Sequence, residues 1–207
     1  MRDIKVTLAG DSPLLMHNIA GMAKGQSGTV KRIPGPEEEA EAHLYWQDEA
    51  KSSLAVPAAA VHGSILKASA KFKVGKNTLW SLVASCCHLG PEMIGLGTTG
   101  YEVDVRSVVV QKNRVWRARG KVMPWSATFT MTFDEDWLPL PVMQETMPKI
   151  INTAGRLVGV LDYRPEKKGS FGTFHWTHYE LLAAAKGKSA QEYRVSGFEP
   201  LPRRKAA

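Results

Sequence analysis

Cysteines and long hydrophobic runs are scarce in this sequence. Its 207 residues include only two cysteines, Cys86 and Cys87, and because neighbouring cysteines rarely bridge each other, a disulfide framework is excluded. No apolar run approaches roughly 18 residues, so we expect no transmembrane helix and no membrane partner. The N-terminus, MRDIKVTLAG, is charged and is followed by no long apolar core. We therefore expect no secretory signal and a cytoplasmic location.

Recognisable catalytic motifs are also missing. The chain contains no GxSxG nucleophile elbow, no HExxH zinc motif and no Walker lysine. Cys86, Cys87 and His88 are adjacent residues of metal-ligating types. Structural zinc takes four ligands in spaced pairs, however, and no second pair follows. The sequence therefore predicts no metal site, no cofactor and no enzymatic activity.

Acidic residues are fewer than basic ones. Asp and Glu total 20, Lys and Arg total 27, and the net charge is +7. Such an excess favours a polyanionic partner, most simply nucleic acid, although a soluble protein can be basic without binding one. Hydrophobic residues make up 43% of the chain and charged residues 23%, which is typical of a packed globular domain and excludes wholesale disorder.

Hydrophobic periodicity predicts an alternation of strands and helices. Residues 3–9 alternate between apolar and polar and predict a strand, whereas the glycines and prolines of residues 16–35 predict a long loop. The later predicted elements, in chain order, are a helix from Pro57 to about Gly75, a short helix within 77–95 that stops before Gly90, strands at 101–110 and 125–133, a helix at 142–158 that Pro148 kinks or restarts, and a strand at 171–181.

This order of elements predicts an α+β fold. It matches a ferredoxin-like (RRM-like) βαββαβ arrangement, in which helices cover one face of an antiparallel sheet. We predict one domain over residues 1–180, with a loop insertion at 16–50 and a protruding β-hairpin arm at 111–124. A C-terminal extension with a basic tail follows at 181–207. The acidic cluster at 37–41 predicts a solvated surface.

The predicted arm carries basic residues around one aromatic side chain, Trp116. The cations are Lys112, Arg114, Arg117, Arg119 and Lys121. This pattern suits single-stranded nucleic acid, because cations hold phosphates and a ring that stacks on bases contributes roughly 1–3 kcal/mol for each base. The alternative is that Trp116 packs in the core while the arginines lie on the surface.

Further segments carry candidate phosphate contacts. On the predicted first helix, Lys67 and Lys71 share a face, and Gly63 permits close approach of a ligand beside His62. Lys24 lies in the long loop at 16–35, which contains no aspartate or glutamate. The glycine-rich loop before the last strand can present backbone donors to a phosphate, or can simply close a turn. Its candidate contacts are Arg164, Lys167, Lys168, Ser170 and Phe171.

Three segments of the sequence form a recognisable series. The first is a strand followed by an apolar-polar turn, LAGDSPLLMHN, at residues 8–18. The second is a helix start with proline, small residues, glycine and Leu-Lys, VPAAAVHGSILK, at residues 56–67. The third is a glycine-rich loop before the last strand, VGVLDYRP and then GSFGTF, within residues 158–174. In this order they resemble the RAMP superfamily of CRISPR proteins, in particular the Cas-seven-type backbone subunits that coat a guide RNA.

The resemblance implies a subunit that binds single-stranded guide RNA and stacks head to tail with copies of itself or with other effector subunits. It adds His17, Asn18 and Ser64 to the candidate RNA contacts. It also places the first helix against the RNA backbone and implies that the arm displaces a base, with Trp116 or Met123 as the wedge. RNA-cleaving members use an aspartate between the first strand and the proline–glycine helix. No aspartate here has that setting, so nuclease activity is not expected.

Two other functions stay open on the sequence. The chain also resembles small proteins encoded in phages and prophages. A phage-encoded mimic of a backbone subunit would bind host CRISPR effector proteins and inhibit them as an anti-CRISPR, and it need not hold RNA. A small nucleic-acid-processing enzyme would instead use groups such as Asp48 or His62.

Overall fold

The computed structural model describes residues 1–19, 34–110 and 112–183. Lys24, most of the loop predicted at 16–35 and nearly all of the predicted C-terminal extension with its basic tail lie outside the described residues. The described part is α+β, as predicted. Its helices are α1 (Pro36–Ala42), α2 (Ala58–Ser69), α3 (Leu79–Cys86) and α4 (Met147–Thr153).

The strands form one main sheet and several smaller ones. In chain order, the strands of the described residues are β1 (Arg2–Gly10), β2 (Leu14–Leu15), β3 (Ala55–Pro57), β4 (Lys73–Val74), β5 (Asn77–Thr78), β6 (Cys87–Gly90), β7 (Met93–Gly95), β8 (Glu102–Val110), β9 (Asn113–Val122), β10 (Ser126–Phe133) and β11 (Phe174–Leu181). The main sheet is antiparallel and has the order β11–β1–β10–β6. A second sheet has the order β2–β9–β8, while β3 pairs with β7 and β4 with β5.

Alternation along β1 decides which face of the main sheet is buried. Ile4, Val6 and Leu8 are fully buried, whereas Lys5 between them is exposed, because successive side chains of a strand point to opposite faces. Val6 lies opposite Phe129 of β10, which is also buried. The two central strands therefore send their apolar side chains to the same core.

Helices α2 and α4 pack into that core. Val61 and Ile65 of α2 and Ile150 and Ile151 of α4 are almost completely buried and belong to the same apolar cluster as β1. Val61 and Ile65 are four residues apart and so lie on one face of α2. No helix in the described ranges is long and apolar enough to cross a bilayer.

The predicted end of the first helix, near Gly75, is wrong. α2 ends at Ser69, and β4 and β5 then form a short hairpin that turns at Gly75, where φ is +60°. Glycine adopts this left-handed conformation without a steric penalty. The helical spacing had predicted that Lys67 and Lys71 share one face of the helix. Because α2 ends at Ser69, Lys71 lies beyond the helix and does not continue that face.

The helix predicted within 77–95 is only partly correct. α3 covers Leu79–Cys86, but residues 87–90 leave the helix and form β6, which pairs with β10 at the edge of the main sheet. A short apolar run suits either a buried helix or a buried strand. The free edge of β10 decides between them, because its backbone groups need partners.

The predicted arm at 111–124 is also wrong in its extent. The basic segment is itself a strand, β9, and it pairs with the whole length of β8, from Glu102–Lys121 to Val110–Asn113. β8 therefore belongs to the arm. The prediction had placed both strands, at 101–110 and at 125–133, in the main sheet, but only the second of them, β10, lies there. We use the term hairpin below for β8 and β9 together.

Helical structure also occurs on both sides of α4 and within the predicted insertion at 16–50. Val142–Thr146 and Ala154–Val158 form π-helical turns before and after α4, and Pro148 lies in its first turn. That is the place where proline's missing N–H costs least, so the predicted restart at Pro148 is correct. The acidic cluster at 37–41 forms α1, which packs beside β9.

Candidate nucleic-acid interface

A cleft opens where three segments that are far apart in the sequence meet. Its volume is about 390 Å³. Most residues that line it come from the chain after β2, from α2, and from the end of the second π-helical turn with the loop that follows. They include His17, Ala59, Ala60, Gly63, Ser64, Lys67, Val158, Gly159, Val160, Leu161, Asp162, Arg164 and Glu166, and Tyr45 also lines the cleft. Each of the three segments that the sequence analysis singled out therefore supplies part of one cleft.

Small residues keep the α2 wall of the cleft open. A β carbon placed on Gly63 would have no neighbour within 4 Å, apart from its chain neighbours and the backbone of its own helix. Glycine inside a helix costs about 1 kcal/mol relative to alanine, so this open position is the natural place for a ligand to approach the backbone. Ser64, by contrast, is 2% exposed. Its hydroxyl donates a 3.4 Å hydrogen bond to the carbonyl of Ala154 and so fastens α2 to the second π-helical turn.

His17 borders the cleft as a neutral imidazole. Burial, and then the positive charge of nearby Arg119, lower the pKa of His17 below its ordinary value. Its Nδ1 atom is buried and has no hydrogen-bond partner within the described part of the chain. The ring lies 4.9 Å from the ring of His43, centroid to centroid. His17 therefore adds a polar wall to the cleft but no positive charge.

Hydrogen bonds from its neighbours hold the His17 segment in place. The Asn18 N–H donates to the carbonyl of His43 at 2.9 Å, and the Asn18 side-chain amide donates to the carbonyl of Leu44 at 3.2 Å. The Tyr45 hydroxyl donates to the carbonyl of His17 at 2.9 Å. Asn18, a predicted RNA contact, is thus engaged in positioning His17 and Tyr45 at the cleft.

The lowered pKa of His17 predicts a loss of stability in mild acid. The unfolded chain takes up a proton on His17 as the pH falls through about 6.5, while the folded chain resists it, so the free energy of unfolding falls in this range. The variant His17→Gln removes this contribution, and its stability should fall less than that of the wild type between about pH 7.5 and 5.5. Urea unfolding at both pH values measures the difference, and identical pH dependence of the two proteins would contradict the assignment.

Charged side chains at the cleft are paired with one another. Lys67 of α2 and Arg164 of the loop both bind the carboxylate of Glu166. Arg119 of β9 lies 3.2 Å from the carboxylate of Asp162, and its side chain is only 13% exposed. In these pairs three cations face two carboxylates. The positive charge predicted for this surface is therefore largely balanced by acids that are remote in the sequence.

The outer part of the hairpin, which carries Lys112, Arg114 and Trp116 next to the turn, is exposed and cationic. Trp116 is 73% exposed, which rules out the alternative in which it packs in the core. Lys112 and Arg114 are exposed near the turn and have no ion-pair partner among the described residues. Met123, the other predicted wedge, is 47% exposed but follows β9 at the end of the hairpin opposite the turn. An exposed ring beside cations that are unpaired within the described ranges suits single-stranded nucleic acid.

The inner part of the hairpin is engaged with the body of the protein. Arg117 lies 3.0 Å from Glu39 of α1, whose second carboxylate oxygen accepts the N–H of Ala118 at 3.1 Å. Lys121 lies 2.7 Å from Glu102 on the opposite strand. β2 pairs with this edge of β9 only at Lys121 and Val122. Glu39 thus satisfies a backbone donor of β9 beyond the end of β2, a position where an uncovered strand would invite another strand. Arg117 and Lys121 are predicted RNA contacts that already hold carboxylates.

Sequence reasoning missed the side chain that links the hairpin to the glycine-rich loop. The Arg106 guanidinium of β8 lies 5.0 Å from the ring centroid of Tyr163 and 4.7 Å from that of Phe171. Asp104 accepts a 3.0 Å hydrogen bond from Arg106 and raises its pKa. Cation–π contacts of this kind contribute about 0.5–2 kcal/mol each. The sequence offered one signal for this contact. Asp104 and Arg106 are two residues apart, so on a strand they lie on the same face and can pair.

Backbone donors in the glycine-rich loop are used within the protein. The N–H groups of Gly169 and Phe171 donate to the carbonyls of Arg164 and Tyr163, and that of Gly172 donates to the carbonyl of Pro13. These contacts are what the alternative prediction of a closing turn requires. Lys167, Lys168 and Ser170 are exposed. Its contact with an RNA would therefore run through side chains.

The remaining candidates lie away from the cleft. His62 lines a separate pocket of about 330 Å³ with Cys87 and His88, and Lys71 lies exposed beyond α2. Burial and the neighbouring Cys86 raise the pKa of Cys87 to about 12, so its thiol is protonated. Asp48 is exposed and accepts hydrogen bonds from Ser52 in its own loop. Over the described ranges, no three Asp, Glu, His or Cys side chains come together as a metal site would need.

The comparisons with known proteins concern the fold. No protein-family model and no curated protein sequence matches the chain. Among solved structures, it is similar to a chain in the cryo-EM structure of the Type III-B Cmr-beta bound to cognate target RNA, with a TM-score of 0.56 and 13% identity. The two chains share a fold. The match covers 89% of this chain but 61% of the other, so this chain spans about three fifths of its structural neighbour.

Proposed function

We propose that this chain is a RAMP-type RNA-binding protein that holds single-stranded RNA in the cleft and against the outer part of the hairpin. One observation carries the proposal: three segments that are separated by some forty and ninety residues meet in one cleft of about 390 Å³. A glycine-rich loop that only closed a turn would not need to meet two other remote segments at a cleft. The chain of similar fold comes from a Type III-B complex bound to target RNA, which supports RNA as the ligand.

The scaffold that we propose for this function is ferredoxin-like. The order β11–β1–β10–β6 has the first strand and the third strand of the main sheet at its centre, with α2 and α4 in the two crossovers. That is the order of a split βαβ repeat. In this scaffold α2 faces the cleft through its first turns, so small residues there let an RNA backbone approach closely.

Direct binding and crosslinking test the proposal. We expect a 5′-labelled single-stranded oligouridylate to bind with a dissociation constant of about 1 μM or lower at low salt. RNA that carries 4-thiouridine should crosslink on irradiation to peptides from residues 57–67, 112–123 or 158–171. Crosslinks confined to other surfaces, or no binding at low salt, would overturn the proposal. A high ratio of absorbance at 260 to 280 nm in the purified protein would show nucleic acid already bound, and its loss on ribonuclease treatment would identify RNA.

Arg114 should contribute a phosphate contact that Arg117 does not. Arg114 is exposed and has no ion-pair partner in the described part of the chain, whereas Arg117 is paired with Glu39. We expect Arg114→Ala to reduce the slope of log K against log salt by about 0.7, the value for one phosphate contact on a single strand. Arg117→Ala serves as the matched control and should change the slope less. An unchanged slope for Arg114→Ala would reject the hairpin as a phosphate clamp.

The finer proposal is that this RNA is a CRISPR guide coated in a head-to-tail assembly, in the cytoplasm and without catalysis by this chain. Head-to-tail contacts leave both ends open, so an assembly grows unless its rotation closes. Light scattering with and without guide-length RNA tests it, and a size that stays monomeric in both states would contradict it. Incubation of RNA with divalent metal should leave its length unchanged, and cleavage would favour the enzyme alternative at Asp48 or His62.

A second candidate function is inhibition of a CRISPR effector by mimicry. It is favoured by the pairing of predicted RNA-binding cations with internal carboxylates, which leaves less positive charge for RNA. These cations are Lys67, Arg117, Arg119, Lys121 and Arg164. Retention of effector subunits from a host lysate, without copurified RNA, would support this function. Retention that ribonuclease treatment abolishes would support the RNA-binding function instead.

A further inference from the structure

One carboxylate at the cleft is shared by two cations from different segments. Glu166 accepts hydrogen bonds at one oxygen from Arg164, at 3.1 Å from Nε and 2.9 Å from Nη2, and its other oxygen faces the Lys67 ammonium. Lys67 lies on α2, almost a hundred residues before Arg164. The folded chain thus brings an ammonium and a guanidinium to a single anion on the cleft wall.

This arrangement is the one that proteins use for phosphate. The Arg164 guanidinium donates from Nε and Nη2 to one oxygen of Glu166, and it can donate in the same way to a phosphate oxygen, while a lysine adds a compact charge. The Arg164 fork does not depend on Glu166 for its orientation, because its Nη1 also donates to the carbonyl of Leu161 at 2.8 Å. The Lys67 side chain is half exposed and that of Arg164 a quarter exposed, so an anion from solvent can reach both.

We propose that Lys67 and Arg164 form a phosphate subsite, which Glu166 occupies in the free protein and leaves when a phosphodiester of single-stranded RNA binds. The inference rests on the proposed RNA-binding function of the cleft. Glu166 lies in a single 3-10 turn, Pro165–Lys167, on the glycine-rich loop, so its side chain can leave without unfolding a longer element. The hydrogen bonds from Lys67 and Arg164 hold the pKa of Glu166 below its usual range. The exchange therefore replaces one anion by another.

The test is a gain of affinity on removal of the carboxylate charge. Glu166→Gln keeps the shape of the side chain but no longer competes as an anion. We expect it to bind oligouridylate about fivefold more tightly than the wild type at low salt, the size of an exposed ion pair. Glu41→Gln is the matched control. Glu41 is also paired with a lysine, Lys51 at 2.9 Å, but lies on α1 and not at the cleft. An unchanged or lower affinity of Glu166→Gln would overturn the exchange.

Variants of the two cations separate this inference from the proposed function. Lys67→Ala and Arg164→Ala should each weaken oligouridylate binding at least about threefold, in the wild-type and in the Glu166→Gln background. If both cation variants weaken binding but Glu166→Gln does not strengthen it, only the exchange fails. If neither cation variant changes the affinity, RNA does not bind in this cleft and the proposed function fails with it. An increase for Glu41→Gln equal to that for Glu166→Gln would show an effect of net charge alone and overturn the exchange.

Discussion

Replacing Gly155 by valine is expected to lower the free energy of unfolding by about 3 kcal/mol or more. Gly155 lies in the π-helical turn after α4, and a β carbon there would overlap the backbone carbonyl of Phe174 at the start of β11. The side chain of Phe174 is fully buried. Because the helix cannot move away without opening this part of the core, the added volume produces strain, which typically costs 1–3 kcal/mol and more for large additions.

Gly63 offers the matched control, because it is also a helical glycine. Its β carbon would have open space around it, so Gly63→Ala should raise the free energy of unfolding by about 0.5–1 kcal/mol through helix propensity. Urea unfolding of both variants measures the two changes. Equal signs for Gly155→Val and Gly63→Ala would contradict the packing described. If the cleft binds RNA, Gly63→Ala should also bind oligouridylate more weakly, since a methyl group would occupy the space beside α2.

Replacing Trp116 by alanine is expected to weaken binding of single-stranded RNA about tenfold or more while stability stays within about 0.5 kcal/mol of the wild type. The ring is 73% exposed on the outer part of the hairpin, so it contributes little to the core. A base stacked on such a ring gains roughly 1–3 kcal/mol. Anisotropy titrations with labelled oligouridylate and thermal unfolding measure the two quantities.

A second exposed tryptophan provides the control for Trp116. Trp137 is 64% exposed but follows β10, and it lies outside the hairpin and the residues that line the cleft. Trp137→Ala should leave the RNA affinity unchanged. A loss of affinity that is equal for the two variants would show that the effect is not local to the hairpin. A large loss of stability for Trp116→Ala would show that the ring packs against the protein after all.

Three strands of the main sheet, β1, β10 and β11, were predictable because their signals are local. β1 and β10 alternate between apolar and polar residues, and this alternation alone decides which face is buried. Pro148 marked the start of α4 for a similar reason, since proline suits only the first turn of a helix. The errors lie at short apolar or basic runs. The residues of β6 and β9 fit more than one element, and pairing with another strand decided each case.

The candidate site was predictable in its parts but not in its electrostatics. The three segments that meet at the cleft carry recognisable patterns of proline, glycine and basic residues. No pattern showed that Glu166 would hold Lys67 and Arg164, or that Asp162 would hold Arg119. The Arg106 contact with Tyr163 and Phe171 likewise joins residues from two distant segments.

The amino-acid sequence by itself determined the α+β class and the buried face of each central strand. These properties follow from periodicity and backbone preference, which act over a few neighbouring residues. Only the tertiary structure decided which cations are free, as Arg114 is within the described residues, and which are neutralised, as Lys67 and Arg119 are. Ion pairing depends on distances of a few ångströms in space, and these are set by how remote segments pack.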